Sequence, residues 1–461
     1  MYNRRLVLTG LALSLVATGY GAQPAEDFSS MRGANYVPSY ARNDVQLWLD
    51  FDPAVIDREL GYAQRLRLNT VRVFLQFAVY EREPQRFLER FETSLALCAK
   101  HELRMMPVVF DSCFGEFPDL ERYRDKDWMA NPGQNRLGQE HWPKLEQYVR
   151  DVVGGHQDDR RIVMWDVMNE PTCTSFNKPA DKQLIFAFLE HFLEYVKQQR
   201  PRQPLTVGWE HSSLIERVLT QTDALCIHNY RRDLREDIRR VQELGRRHGK
   251  PVIVNEVVGR PQQPFSYVMP ILREEKVGWC FWELMLGKTQ FSRAVYPYQG
   301  LIYPDATCFD ASEVACVMDV SLEVAQQLFP QRPPPKFEED GISFQGYWTR
   351  WTGAGPLRGR LFYATDPKST VGFAFAGTSV ALVHKVGPDC GIARVLIDGK
   401  PAAVPEIDTY ASQVEWNRRT RVAQDLPPGR HLVTVLATGR KNGKSSNCYV
   451  QIVGFQSGPG Q

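Results

Sequence analysis

The chain has no surplus of either charge. Lys and Arg number 56 and Asp and Glu 54, a formal net charge of +2 over 461 residues. That argues against a dedicated nucleic-acid binder, which carries a basic excess. The sequence contains no CxxC and no HExxH spacing, so nothing in it supports a metal site. Beyond the N-terminal stretch no segment approaches 18 apolar residues, so no integral membrane span is expected in the mature chain. There is no convincing internal repeat. What the chain does have is apolar material for a core (43% hydrophobic) and many aromatic residues (11%, with 10 Trp), which suit large cores and also platforms for flat ligands.

Residues 1–25, MYNRRLVLTGLALSLVATGYGAQPA, read as a secretory signal peptide. Arg4 and Arg5 form the charged start, Leu6 to Ala17 the apolar run, and small residues follow. The expectation is a secreted or periplasmic protein, in which disulfides are permitted. The cysteine count is 9, an odd number. Cys98 falls at helical spacing with Leu88, Phe91 and Leu95, as a buried free thiol would. Cys113 and Cys173 each follow an expected strand, and Cys390 and Cys448 lie near the C-terminus; either pair is a candidate bridge.

From residue 32 to about 329 short apolar runs alternate with amphipathic patterns. Strands are expected at 33–37, 70–75, 105–110, 162–168, 205–209, 224–229, 252–257 and 278–283. Ile56, Leu60, Ala63 and Leu66 share one helical face, as do Leu145, Tyr148, Val149 and Val152, and Leu234, Ile238 and Val241. Eight such units in roughly 300 residues predict an α/β fold, a (β/α)₈ TIM barrel, with an open doubly wound sheet as the alternative. The proline-rich segment 330–341 breaks the rhythm and reads as a stiff linker. Period-two runs such as VGFAFAG, SVALVHKV and HLVTVLATG then predict a C-terminal antiparallel β-sandwich over 342–457. Tyr347, Trp348, Trp351, Tyr410 and Trp416 are either its core or carbohydrate platforms.

In a parallel barrel the chemistry sits at the C-terminal ends of the strands. Strand four, in IVMWDVMNEP, ends in Asn169-Glu170, and strand seven, in PVIVNEVV, ends in Asn255-Glu256. Strands four and seven face each other across a barrel mouth. Two opposed carboxylates suit cleavage of a glycosidic bond, one donating a proton to the leaving oxygen and the other attacking the anomeric carbon. A barrel lyase or aldolase would need a Schiff-base lysine or a metal cluster there; Lys250 lies at the wrong end of strand seven.

WDVMNEP with a downstream strand-end glutamate resembles clan A of the glycoside hydrolases, the group that contains the family 5 cellulases and mannanases. RGANYVPSY, LNTVRVF, IHNY and GWCFWELMLGKTQ fit the same pattern, over roughly residues 32–329, and look most like secreted bacterial cellulase-like or xylanase-like proteins. The resemblance implies a retaining double displacement on a β-linked oligo- or polysaccharide without metal or organic cofactor. It implies that Glu170 is the acid/base and Glu256 the nucleophile, and that Asn169 donates to the substrate 2-hydroxyl. By the same resemblance Arg72 keeps the nucleophile ionised, Tyr230 hydrogen-bonds it with His228 alongside, and Trp282 floors the sugar subsite. Arg72 should hold Glu256 down, while nothing comparable in the sequence marks Glu170. Lys288 and Gln290 are candidates for sugar hydroxyls; Trp48, Trp128 and Trp209 are further aromatic candidates. Many relatives have Thr or Gly before the nucleophile and an aromatic soon after it; here the stretch is Asn255-Glu256-Val257-Val258, so no particular sugar is implied. The rival reading is a non-catalytic carbohydrate-binding protein on a degenerate barrel.

Overall fold

The computed structural model describes residues 27–113, 118–173, 179–260, 262–289 and 299–458. The segment read as a signal peptide and Gln290 lie outside them. Eight strands, β1 (Arg32–Asn35), β2 (Thr70–Phe74), β3 (Arg104–Asp111), β4 (Trp165–Asn169), β5 (Leu205–Trp209), β6 (Leu225–Asn229), β7 (Val252–Val257) and β8 (Gly278–Phe281), pair in parallel in sequence order. β8 returns to β1 with Gly33 opposite Cys280, which closes the barrel and sets aside the open sheet. These strands read as unbroken apolar runs because helices cover one face and the barrel interior the other.

The helical faces fall where the spacing put them. Helix Pro53–Arg65 buries Ile56, Leu60 and Ala63; it starts at Asp52, whose carboxylate accepts from the Ala54 and Val55 amides. Helix Trp142–Val152 buries Leu145, Tyr148, Val149 and Val152. Helix Leu234–His248 buries Leu234, Ile238 and Val241 and ends at Gly249 in the left-handed conformation (φ +66°). Between β5 and β6 the chain makes only a 3₁₀ helix, Ser212–Val218. Several strand ends differ from expectation: β1 stops at Asn35 and β8 at Phe281, each two residues early, β3 runs one residue further, to Asp111, and β4 begins only at Trp165 and runs to Asn169.

The segment 330–341 is not a free spacer. Pro330 and Cys308 share a backbone hydrogen bond, and Lys336–Glu339 forms strand β9. The sandwich continues with β10 (Ile342–Gln345), β11 (Thr349–Thr352), β12 (Arg360–Ala364), β13 (Thr370–Ala376), β14 (Ser379–Val386), β15 (Gly391–Ile397), β16 (Lys400–Asp408), β17 (Glu415–Ala423), β18 (Arg430–Lys441) and β19 (Val450–Gly458). One sheet has the order β16-β15-β18-β13-β10-β9, the other β11-β12-β19-β14-β17. Their facing sides bury Phe344, Trp348, Phe362, Leu382, Val395 and Val433. Leu286 and Phe309 of the barrel pack with Tyr347 of the sandwich, and Lys368 pairs with Asp310. Tyr347 and Trp348 are therefore buried, while Trp351 stacks on Trp416 with ring centroids 5.5 Å apart. Among the described residues no helix is long and apolar enough to cross a membrane. All nine cysteines are free thiols, including Cys390 and Cys448; the Cys113 and Cys173 sulfurs are 3.3 Å apart.

Candidate active site

Arg72 organises the bottom of the barrel mouth. Its side chain rises from β2 with no exposure. A guanidinium offers five N–H donors in a fixed fork, so one buried arginine can bind several acceptors. Here it donates to Asp166 on β4 (2.7 and 3.0 Å), Asn35 on β1 (2.8 Å), Asn169 on β4 (2.6 Å) and Glu256 on β7 (2.6 Å). Burial disfavours its charge, but Asp166 and Glu256 more than restore it, so the guanidinium stays charged.

Glu256 accepts from Arg72 on one oxygen and from the Tyr230 hydroxyl (2.8 Å) on the other. Opposite it, Glu170 closes β4 in left-handed backbone, φ +41°, a conformation unusual for a residue with a Cβ. His228 lies between them: Nδ1 is 2.7 Å from Glu170 Oε1 and 3.4 Å from Glu256 Oε2. Ligand oxygens of the two glutamates come within 4.8 Å of each other. The His228 ring lies over Gly208 of β5, where a Cβ would sit 2.7 Å from Nε2 and 2.9 Å from Arg72 Nη2.

The electrostatic order is the reverse of that expected from sequence. Burial pushes Glu256 above the ordinary carboxylate range, although His228 and Arg72 pull against it. Burial acts on Glu170 too, but the hydrogen bond and charge of His228, aided by the Cys113 and Cys173 thiols, bring it below that range. His228 is the group that marks Glu170, and its position on β6 beside Tyr230 hid that role: nothing in IHNY says which carboxylate the ring reaches.

Asn169 receives Arg72 on its amide oxygen and donates to Asp111 (2.8 Å), which leaves its second amide hydrogen for a ligand. Trp282 lines the cleft in edge contact with Phe74 and Trp128, at 5.6 and 5.8 Å between centroids. Lys288 is exposed and does not line the cleft. Trp48 and Trp209 are buried core residues away from it. The cleft has a volume of 680 Å³.

Several residues in or behind the cleft carried no mark in the sequence analysis. Asp111 ends β3, accepts from Asn169, Trp128 (2.6 Å) and the Cys113 amide (2.9 Å), and is pushed up by burial to about 7. Its signal was the strand-end criterion itself, missed by one residue. Asp166, inside the apolar run of β4, carried no signal. Glu210, just beyond β5, accepts from Thr172, while its other oxygen is buried and, among the described residues, has no partner; the same holds for Gln299 Oε1. Both line the cleft and offer acceptors to hydroxyl donors. Among the described residues three groupings have ligand atoms within 4.8 Å of one another, as a metal site would: Cys113, Glu170 and Cys173; Glu170, His228 and Glu256; and, away from the cleft, Glu92, His156 and Asp159. In the second, the Arg72 guanidinium 2.6 Å from Glu256 opposes another cation.

No family model and no curated protein matches the sequence. Solved structures similar to this chain include glycoside hydrolases of family 5. A GH5_18 protein from Streptomyces cattleya, in complex with GlcNAc, is 13% identical over 66% of this chain and 83% of its own, with a TM-score of 0.47. An exo-β-1,4-mannosidase from Opitutaceae bacterium strain TAV5 is 17% identical over 66% of this chain and 61% of its own, TM-score 0.49. Endoglucanase Cel5A from the hyperthermophilic Thermotoga maritima is 13% identical over 57% of this chain and 93% of its own, TM-score 0.42.

Proposed function

We propose that the protein is an exported retaining β-glycoside hydrolase acting on β-linked oligo- or polysaccharides. The observation that carries this reading is the opposition of Glu170 and Glu256, with carboxylate oxygens within 4.8 Å of each other. Retaining glycosidases hold the pair about 5–5.5 Å apart, whereas inversion needs about 6.5–9.5 Å to admit a water between carboxylate and sugar.

In this reading Glu256 is the nucleophile. Arg72 and Tyr230 each bind one of its oxygens and fix its approach to the anomeric carbon. Glu170 protonates the leaving oxygen. The proton it delivers reaches it along the 2.7 Å hydrogen bond from His228 Nδ1, since the free site holds Glu170 as carboxylate beside the imidazole. When Glu256 becomes a glycosyl ester its negative charge is gone, Glu170 reverts to a carboxylate and draws the proton from the attacking water. Asn169 donates to the sugar, and Glu210 and Gln299 accept from its hydroxyls. The intact chain of contacts from Arg72 to Glu256, Tyr230, His228 and Glu170 favours an enzyme over a binding protein that has lost turnover.

Azide separates the roles. Glu256→Ala loses the covalent step, and added azide restores turnover with inverted configuration. Glu170→Ala still forms the intermediate, so azide gives a product of retained configuration, and substrates with poor leaving groups lose most, by roughly 10²–10⁴-fold. Reversed azide products would swap the two assignments. Binding without turnover of any member of a broad β-glycan and aryl-glycoside panel by the wild-type protein would overturn the enzyme reading.

A further inference from the structure

We infer that Cys113 and Cys173 are a disulfide-forming pair at the mouth of the cleft, and that closing the bridge withdraws the thiol hydrogen bond from Glu170. The inference deepens the reading of Glu170 as acid/base and rests on it. Cys113 follows β3 and is buried; Cys173 follows β4, three residues beyond Glu170, and is exposed. Their sulfurs are 3.3 Å apart, a van der Waals contact that rotation of the exposed side chain can close. The Cys113 thiol donates to Glu170 Oε2 at 3.0 Å, on the oxygen that His228 does not use. A disulfide has no S–H, so the bridged protein cannot make that bond.

The bridge forms by exchange with a small disulfide such as oxidised glutathione. The Cys173 thiolate attacks one sulfur of the reagent and expels one glutathione thiolate. The Cys113 thiol then loses its proton to solvent, and its sulfur attacks the Cys173 sulfur and expels the second. Two electrons pass from the two cysteines to the reagent, which leaves as two thiols.

The groups around Glu170 set the sign. His228 faces it from β6, Cys113 and Cys173 from the loops after β3 and β4, and Asp111 from the end of β3. Glu210 lies beyond β5, Tyr230 beyond β6 and Glu256 on β7; Arg72 reaches the site through Asn169. Of these, the thiols and His228 favour the carboxylate and the three other acidic side chains oppose it. Bridging removes favourable donors and touches nothing else, so Glu170 holds its proton to higher pH.

The test compares full-length protein equilibrated with oxidised glutathione or with dithiothreitol. Peptide mapping by mass spectrometry is expected to find a Cys113–Cys173 cross-link only in the first. The basic limb of the kcat/KM profile, which reports loss of the proton that Glu170 and His228 share in the free enzyme, is expected roughly half to one pH unit higher in the oxidised form. Cys113→Ser and Cys173→Ser retain a hydroxyl donor and cannot bridge, so both keep the limb of the reduced form under either condition. The Cys113→Ala/Cys173→Ala double variant, with neither donor nor bridge, takes the limb of the oxidised form under either condition. A carboxyl ¹³C titration of Glu170, identified by its loss in Glu170→Gln, reads the same shift without turnover. Alkylation of both Cys113 and Cys173 after oxidation, or a bridge with no shift in the Glu170 titration, overturns the inference. Absence of turnover in every form counts against the proposed activity alone.

Discussion

Gly208 has no side chain, and the site depends on that. A methyl group there would meet His228 Nε2 at 2.7 Å and Arg72 Nη2 at 2.9 Å, closer than a Cβ comes to its neighbours, and Asp166 Oδ2 at 3.0 Å, tighter than most Cβ contacts. Gly208→Ala is therefore expected, on the proposed mechanism, to lower kcat more than tenfold while the protein remains folded, because the imidazole hydrogen-bonded to Glu170 is pushed from its place; unchanged kcat with a native circular dichroism spectrum would refute this. Arg72→Met is a harsher change. It leaves Asp166 and Glu256 buried without their cation, and breaking a buried pair in this way costs about 3–5 kcal/mol. Chemical denaturation should show that loss, and Arg72→Lys should recover only part of it, since a point charge cannot serve four acceptors. At this scale the sequence was legible where a residue ended a strand: Glu170, Glu256, Tyr230 and Asn169 all stood at such places. It was silent on Asp166 because a carboxylate inside an apolar run declares itself only through its partner, Arg72, which is 94 residues away. The expected depression of Glu256 failed for a related reason, since burial is set by the whole barrel and outweighs one guanidinium.

The elements were read well where they bury much surface and poorly where they bury little. All eight barrel strands and the three helical faces were visible, for each has one side in the core. β16 and β17 were not. KPAAVPEID and EWNRRTRVA lie at the edges of their two sheets and bury only two residues each, so no alternation of apolar and polar residues survives. β9 was hidden by the prolines just before it, which suggested a linker; it too is an edge strand. The end of helix Leu234–His248 gives a clean test of backbone conformation. Gly249 has φ +66° and open space where a Cβ would be, so only the left-handed backbone opposes a side chain. Gly249→Ala should lower unfolding free energy by about 1–2 kcal/mol, and Gly249→Asn by less, since asparagine tolerates that region. Equal losses in urea titrations would show that something other than the backbone is at work.

For the molecule as a whole, pH acts on the sandwich through Asp366. Burial raises its carboxyl to about 6, against the neighbouring Lys368 and Ser369, while an unfolded aspartate releases its proton near ~3.9. Between those values the folded state holds more protons than the unfolded one, so stability falls as pH rises, and the loss is complete above pH ~6. Asp366→Asn should accordingly melt at a higher temperature than the wild type at pH 7.5 and at a similar one at pH 3.5; a constant difference across that range would point to packing instead. The Arg72 fork has a consequence in time. Its contact with Asp166 spans 94 residues and that with Glu256 spans 184. As the ribosome extends the chain, Arg72 can find Asp166 once β4 has emerged, which gives the first half of the barrel a neutral centre with one guanidinium N–H still open. Glu256, which fills this place, is made only with β7. A nascent chain therefore passes through a stage that has Glu170 and the arginine but not the second glutamate, and on the proposed mechanism a product that stops short of residue 256 is inert however well its first four strands have formed.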